Sequence, residues 1–153
     1  MKWRNHAVMA ASIAFMMGLY PVEILYCASF AALPDQLEVV WGVRIFAHRT
    51  WTHEVLVWLV PLLVLLACPL VLPGIPRVLV PPLEGGLREF FTIRSWVLFL
   101  PGLLHLAGDV LTPQGIRVAT RKVALGLFRT GSAMEYVATG VLAAAAAFFY
   151  GIR

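Results

Sequence analysis

Long apolar runs, interrupted at only a few places by charge, set the pattern of this chain. Residues 55–76 carry no formal charge, nor do residues 136–152, and the run 95–108 is also uncharged. A helix rises about 1.5 Å per residue, so about 20 apolar residues cross a hydrocarbon core of about 30 Å. The first two runs therefore predict transmembrane helices, the second slightly short. The third comes close to a full span when Asp109 lies at the interface. The apolar stretch 7–33 breaks at Gly18-Leu19-Tyr20-Pro21. Proline disrupts a helix interior but suits its first turn, so this stretch predicts two short helices, over 6–18 and 22–33, forming a hairpin that need not cross the bilayer. The expected fold class is an all-α integral membrane protein of four to five helices. It consists of the short N-terminal hairpin plus three transmembrane helices, in one domain spanning residues 1–153.

Composition agrees with that pattern. Hydrophobic residues make up 61% of the chain and charged residues 13%, against about 25% charged in ordinary globular proteins; mean hydropathy is +0.85. Lys2 and Arg4 before an apolar run also fit a signal peptide, with a weak cleavage site near Ala28-Ser29-Phe30. The length of the run and Glu23 within it count against that reading.

Charge then orients the helices. With an N-terminal hairpin, Lys2, Arg4, Arg44, Arg49, Arg117, Arg121, Lys122 and Arg129 share one side, eight basic residues against four on the other. One long first span would divide them evenly and give no orientation. Basic residues mark the cytoplasmic side, so the richer side is expected to face the cytoplasm in a chain that crosses its membrane several times. The same topology gathers His6, Asp35, His48, His53 and the Asp109 end of the third run at that cytoplasmic face.

Those gathered residues are the candidate chemistry. In LLHLAGDVLTP, His105 and Asp109 stand four apart, so a helix projects imidazole and carboxylate from one face. A second group is His48-Arg49-Thr50-Trp51-Thr52-His53-Glu54, with His6 and Asp35 elsewhere. Any one of these histidines alone reads as a hydrogen-bonded packing residue. Together, and beside apolar segments where unpaired ionisable groups are expensive, they point to a metal.

In order, these motifs are an N-terminal His, Leu33-Pro34-Asp35, His48-Arg49-x-x-Thr52-His53, and His105-x-x-x-Asp109-x-x-Thr112-Pro113-x-Gly115. This order resembles the inner-membrane metal-dependent hydrolases that include bacterial YdjM, a family described as LexA-regulated. The resemblance covers nearly the whole chain. More distantly the pattern is similar to the zinc-dependent phospholipase C and P1 nuclease group, which hydrolyses phosphate esters. Where relatives carry Pro-Asp-x-Asp, this chain has Pro34-Asp35-Gln36-Leu37-Glu38, which leaves the role of Glu38 open.

The resulting expectation is a site of one or two divalent ions, zinc with manganese as the alternative. His6, Asp35, His48, His53, His105 and Asp109 are the ligands, with Asp35 a candidate bridge. The expected function is hydrolysis of an ester or phosphoester through metal-activated water, on a membrane lipid or lipid-linked substrate. Glu54 and Asp109 are the catalytic candidates. A structural metal in a membrane assembly protein is the alternative, and a metal transport path would need ligands at successive depths rather than at one face.

Neighbouring residues have two readings each. Glu54 is a general base or a carboxylate at a helix start, and Thr52 is an N-cap. Ser132 and Glu135 fit a capping box, and Arg129 beside that helix start suits a substrate phosphate. Arg117, Arg121 and Lys122 suit anionic lipid head groups; with no nucleic-acid motif in the chain, a nucleic-acid partner is not expected. Residues 72–93 read as a turn-rich connection with a short helix over 83–91. Trp3, Trp41, Trp51, Trp58 and Trp96 read as interfacial anchors, and Cys27 and Cys68 as packing residues.

Overall fold

The computed structural model describes residues 1–40, 43–44, 51–71, 91–119 and 121–152. Along these, α1 spans Trp3–Met16, α2 Pro21–Ser29 and α3 Leu33–Gln36. A two-residue ladder, β1 (Val39–Val40) with β2 (Val43–Arg44), follows. A 3₁₀ turn at Trp51–His53 leads into α4 (Val55–Val71), and a second one at Ser95–Phe99 leads into α5 (Leu100–Val110). The antiparallel hairpin β3 (Ile116–Val118) and β4 (Arg121–Val123) precedes α6 (Ala133–Gly151).

The N-terminal hairpin forms as its sequence predicts. Pro21 stands in the first turn of α2, where its missing N–H is of no consequence. Gly18 takes φ +70° between the two helices, a left-handed conformation that a side chain disfavours. The expectation of an all-α chain needs correction, because two short antiparallel ladders accompany the helices. Among the described residues, one helix, α6, is long and apolar enough to cross a membrane. Most of its surface is exposed, including Val141, Phe148 and Tyr150. The apolar α4 has 17 residues and shows Val60, Leu63 and Leu66 outward. The helix expected over 83–91, and the loop around it, lie outside the described residues.

At the centre is α5, which packs against α1, α2, α3 and α4. Small residues make this possible. Ala10, Ala14 and Ala31 are fully buried beside Leu100 and Leu104. A Cβ on Gly102 would lie 2.0 Å from the Trp58 ring, so glycine lets α4 lie directly on α5. Trp58 is 4% exposed and its Nε1–H donates to the Thr52 carbonyl at 2.7 Å. It is thus a core residue fixing the turn before α4, not an interfacial anchor, whereas Trp3 and Trp51 are exposed. Cys27 is fully buried in the same core.

At the far end of α2, Glu23 is fully buried. Its carboxylate accepts from the Tyr20 N–H at 3.0 Å, the Arg94 N–H at 2.8 Å and the Arg94 guanidinium at 2.6 Å. Arg94 also lies over the rings of Tyr20 and Trp96, at 5.2 Å and 5.1 Å. This clamp holds α2 to the approach of α5, so it sets the relative height of elements that carry the site at their other ends.

Candidate metal centre

His105 and Asp109 leave α5 one helical turn apart and on one face. The Thr112 hydroxyl closes that helix by donating to the Asp109 carbonyl at 2.8 Å. Around them, α3 brings Asp35, the first 3₁₀ turn brings His53 and α1 brings His6. His6, His53, His105 and Asp109 are buried, while the Asp35 side chain is 40% exposed. The oxygens that face the cluster, Asp35 Oδ1 and Asp109 Oδ2, are themselves buried, so the exposed part is the remainder of the Asp35 side chain.

Four donor atoms face one another: Nε2 of His53, Nε2 of His105, Oδ1 of Asp35 and Oδ2 of Asp109. From His53 Nε2 the separations are 3.3 Å to Asp35, 3.4 Å to Asp109 and 3.4 Å to His105. From His105 Nε2 they are 3.5 Å to Asp109 and 3.8 Å to Asp35. Nitrogen and oxygen ligands about 2.05 Å from a tetrahedral ion stand about 3.3 Å apart, and ordinary N–H···O bonds are about 2.9 Å. The near-equal, longer spacing is that of a ligand cage, widest at exposed Asp35.

The imidazoles are held in the orientation such a cage requires. His105 Nδ1 lies 2.8 Å from the Ala31 carbonyl. A carbonyl only accepts, so this nitrogen carries the proton and Nε2 presents its lone pair. His53 Nδ1 lies 3.1 Å from Glu38 Oε1, and the Thr52 hydroxyl donates to the same oxygen at 2.5 Å. Glu38 is 1% exposed. It fixes the tautomer of His53 as an outer carboxylate typically does for a metal-binding histidine. Thr52 thus serves Glu38 rather than capping α4.

A second donor group adjoins the first. His6 Nε2 lies 3.4 Å from Asp109 Oδ1, its ring stacked on His105 at 3.9 Å. The Met1 amino nitrogen lies 2.8 Å from the same oxygen. Asp109 thus turns one oxygen to His6 and the other to His53 and His105. Two sets, His6-His105-Asp109 and Asp35-His53-His105, are each compact enough to hold a metal ion. Gly108 allows the first, since a Cβ there would lie 3.0 Å from His6 Nδ1 and 2.7 Å from the end of Met9.

Electrostatics follow from this crowding. Burial alone would lower the pKa of His53, but Asp109 and Asp35 beside it overcome that and push it up to about 9. Burial likewise would raise the Asp35 carboxyl, and His53 and His105 reverse the shift and hold it below its ordinary value. The cluster attracts positive charge at neutral pH, supplied by a proton or by a metal.

Other residues singled out in the sequence are placed differently. His48 lies outside the described residues, as does Trp41. Glu54 follows His53, and its carboxylate accepts from the Ala119 N–H at 2.9 Å, at the tip of the β3–β4 hairpin. Arg129 is exposed ahead of α6, with no contact to the donor cluster among the described residues. The Ser132–Glu135 capping box does not form: Ser132 makes no side-chain cap. Glu135 instead receives the Gly131 N–H, the Lys2 N–H at 2.6 Å and the Asn5 amide at 2.6 Å. It ties the start of α1, and hence His6, to α6. At least one of the amides that would meet a phosphate beside Arg129 is thereby engaged. Sequence reasoning leaves the role of Glu38 open, reads Glu135 as a capping residue and misses Gly108, because each acts through a residue distant in the chain.

A family model described as YdjM inner membrane protein matches residues 1–151, and the chain belongs to that family. No curated protein matches the chain. No solved structure matches it either, so the similarity to the phospholipase C and P1 nuclease group rests on the sequence pattern.

Proposed function

We propose that this chain is a multi-pass membrane hydrolase, with a centre for one or two divalent ions at the cytoplasmic surface, acting on an ester or phosphoester of a lipid or lipid-linked molecule. The observation that carries the reading is the buried trio of His53, His105 and Asp109 with donor atoms 3.4–3.5 Å apart, and Asp35 3.3 Å and 3.8 Å from the two imidazoles. Imidazole nitrogen with carboxylate oxygen suits zinc first and manganese second. An ion held there supplies Lewis-acid polarisation of the ester and lowers the pKa of water beside it.

The chain's own residues divide the remaining work. His53 and His105 are fixed by Glu38 and Ala31, so their donor atoms need no reorganisation when an ion arrives. Asp109 faces His53 and His105 with one oxygen and reaches toward His6 with the other. Asp35, whose side chain is partly exposed, is the carboxylate placed to hold water and to meet a substrate. Glu54, engaged at the hairpin, supports the site from outside rather than serving as its base. The exposed apolar surfaces of α4 and α6 favour a substrate drawn from the bilayer.

A second reading has one observation in its favour. Four protein donors around one point are also the arrangement of a structural ion, which would pin α3, the turn before α4 and α5 together. Metal content of the purified chain, measured with lipid hydrolysis on the same samples, separates the two. One or two ions per chain, lost together with turnover in His53→Ala and Asp109→Ala, is the expected result. Bound metal without turnover across a panel of phospholipids favours the structural ion, and no metal in the unaltered chain rejects both.

A further inference from the structure

The β3–β4 hairpin and the strand-like segment after it play no part in the donor cluster, yet their surface is unusual. Residues 110–134 contain no Asp or Glu and four basic residues, Arg117, Arg121, Lys122 and Arg129. In the hairpin, Arg117 stands directly opposite Lys122, and both are exposed. Cross-strand partners project from one face, so like charges placed opposite each other repel and destabilise the ladder. Neither forms an ion pair with a described residue.

Apolar groups are exposed three and five residues after Lys122 in the chain. Leu125 and Leu127 are 62% and 65% exposed, although their N–H groups are tied to the Val110 and Leu111 carbonyls at 2.7 Å and 2.8 Å. Their backbone is fixed by the end of α5 while their side chains find no protein to cover them. The hairpin tip is fixed too. Ala119 takes φ +46°, disfavoured for a residue with a Cβ, and its N–H is held by Glu54. Finally, the segment runs directly into α6, the described helix long and apolar enough to cross a membrane.

We infer that the surface formed by Arg117, Lys122, Leu125 and Leu127 is a docking site for anionic phospholipid, in the leaflet that meets the start of α6. The paired cations neutralise a head-group phosphate and its neighbour, and the leucines enter the acyl region. A cationic rim with adjacent apolar side chains is the pattern by which interfacial segments bind acidic membranes. A helix crossing the bilayer immediately after the segment holds it at head-group depth. The site needs no ion in the donor cluster and stands apart from the hydrolase reading.

The test is binding of dioctanoyl phosphatidylglycerol and dioctanoyl phosphatidylcholine to the full chain in non-ionic detergent, read by native mass spectrometry. The anionic lipid should bind at least tenfold tighter. Arg117→Gln with Lys122→Gln should remove most of that preference, while Arg117→Lys with Lys122→Arg retains it. Unchanged thermal midpoints would exclude unfolding as the cause. Equal binding of the two lipids, or a preference untouched by the glutamine pair, overturns the inference. So does tighter binding of a single-stranded RNA oligonucleotide through the same two residues. Because the readout is binding, either result leaves the hydrolase proposal to its own experiment.

Discussion

Of the buried acidic groups, Glu23 and Asp109 stand at opposite ends of the central packing and are treated in opposite ways. Glu23 meets donors at ordinary hydrogen-bond distances, the Tyr20 and Arg94 amides and the Arg94 guanidinium. Asp109 meets one donor at ordinary distance, the Met1 amino group at 2.8 Å, but three imidazole nitrogens at 3.4–3.5 Å. A charge taken out of water must be compensated. Glu23 carries its compensation within the chain, which makes it a clamp. Around Asp109 the Met1 amino group compensates one oxygen, while the other faces imidazoles whose spacing is wide enough to admit an ion, which makes this end a candidate binding site rather than a clamp.

Replacing the key residue at each end should break this contrast in different ways. Asp109→Ala removes the carboxylate whose oxygens face His6 on one side and His53 and His105 on the other, and should abolish metal retention and turnover together, as measured by elemental analysis and lipid hydrolysis. Arg94→Ala should leave metal content intact but lower stability by about 3 kcal/mol, because it strands a buried carboxylate; chemical denaturation in detergent measures this. Loss of metal in Arg94→Ala, with the fold retained, would mean that the two ends are not separable.

Smaller changes sharpen the comparison. Glu38→Gln keeps the shape beside His53 but weakens the hold on its Nδ1–H, and should reduce metal affinity about 10–100-fold without unfolding, as outer-shell changes commonly do. Metal titration across pH supplies the next. The empty site holds a proton on His53 up to about pH 9, and an ion must displace it. Affinity should therefore fall as pH drops below that value, by about tenfold per unit while one proton is released. The smallest effect is expected for Glu54→Gln. It should speed amide exchange at the hairpin tip, leave metal affinity nearly unchanged and reduce turnover little; a complete loss of turnover would restore Glu54 as the base.

Much of the candidate site was legible because its donors are of chemically distinctive types placed at segment ends. His105 and Asp109 needed only helical spacing, and Pro21 after Gly18 marked the hairpin that turns the chain back. The β3–β4 ladder was not legible, since Ile116, Arg117 and Val118 are too short a run to show a two-residue period. Thr52 and Ser132 were read as caps on local grounds, whereas Thr52 was claimed by Glu38, and the partner expected for Ser132, Glu135, was claimed by the distant amides of Lys2 and Asn5.

Local periodicity, burial tendency and side-chain chemistry are enough to place the longer helices, the apolar surface and the residue types able to meet a divalent ion. Packing between distant segments settles which of those residues meet, which nitrogen of His53 and His105 faces inward, and that Asp109 turns its two oxygens to different imidazoles. Those outcomes depend on packing between distant segments, through Gly102 under Trp58, Gly108 beside His6 and Glu38 behind His53, and no local pattern encodes a distance across the fold.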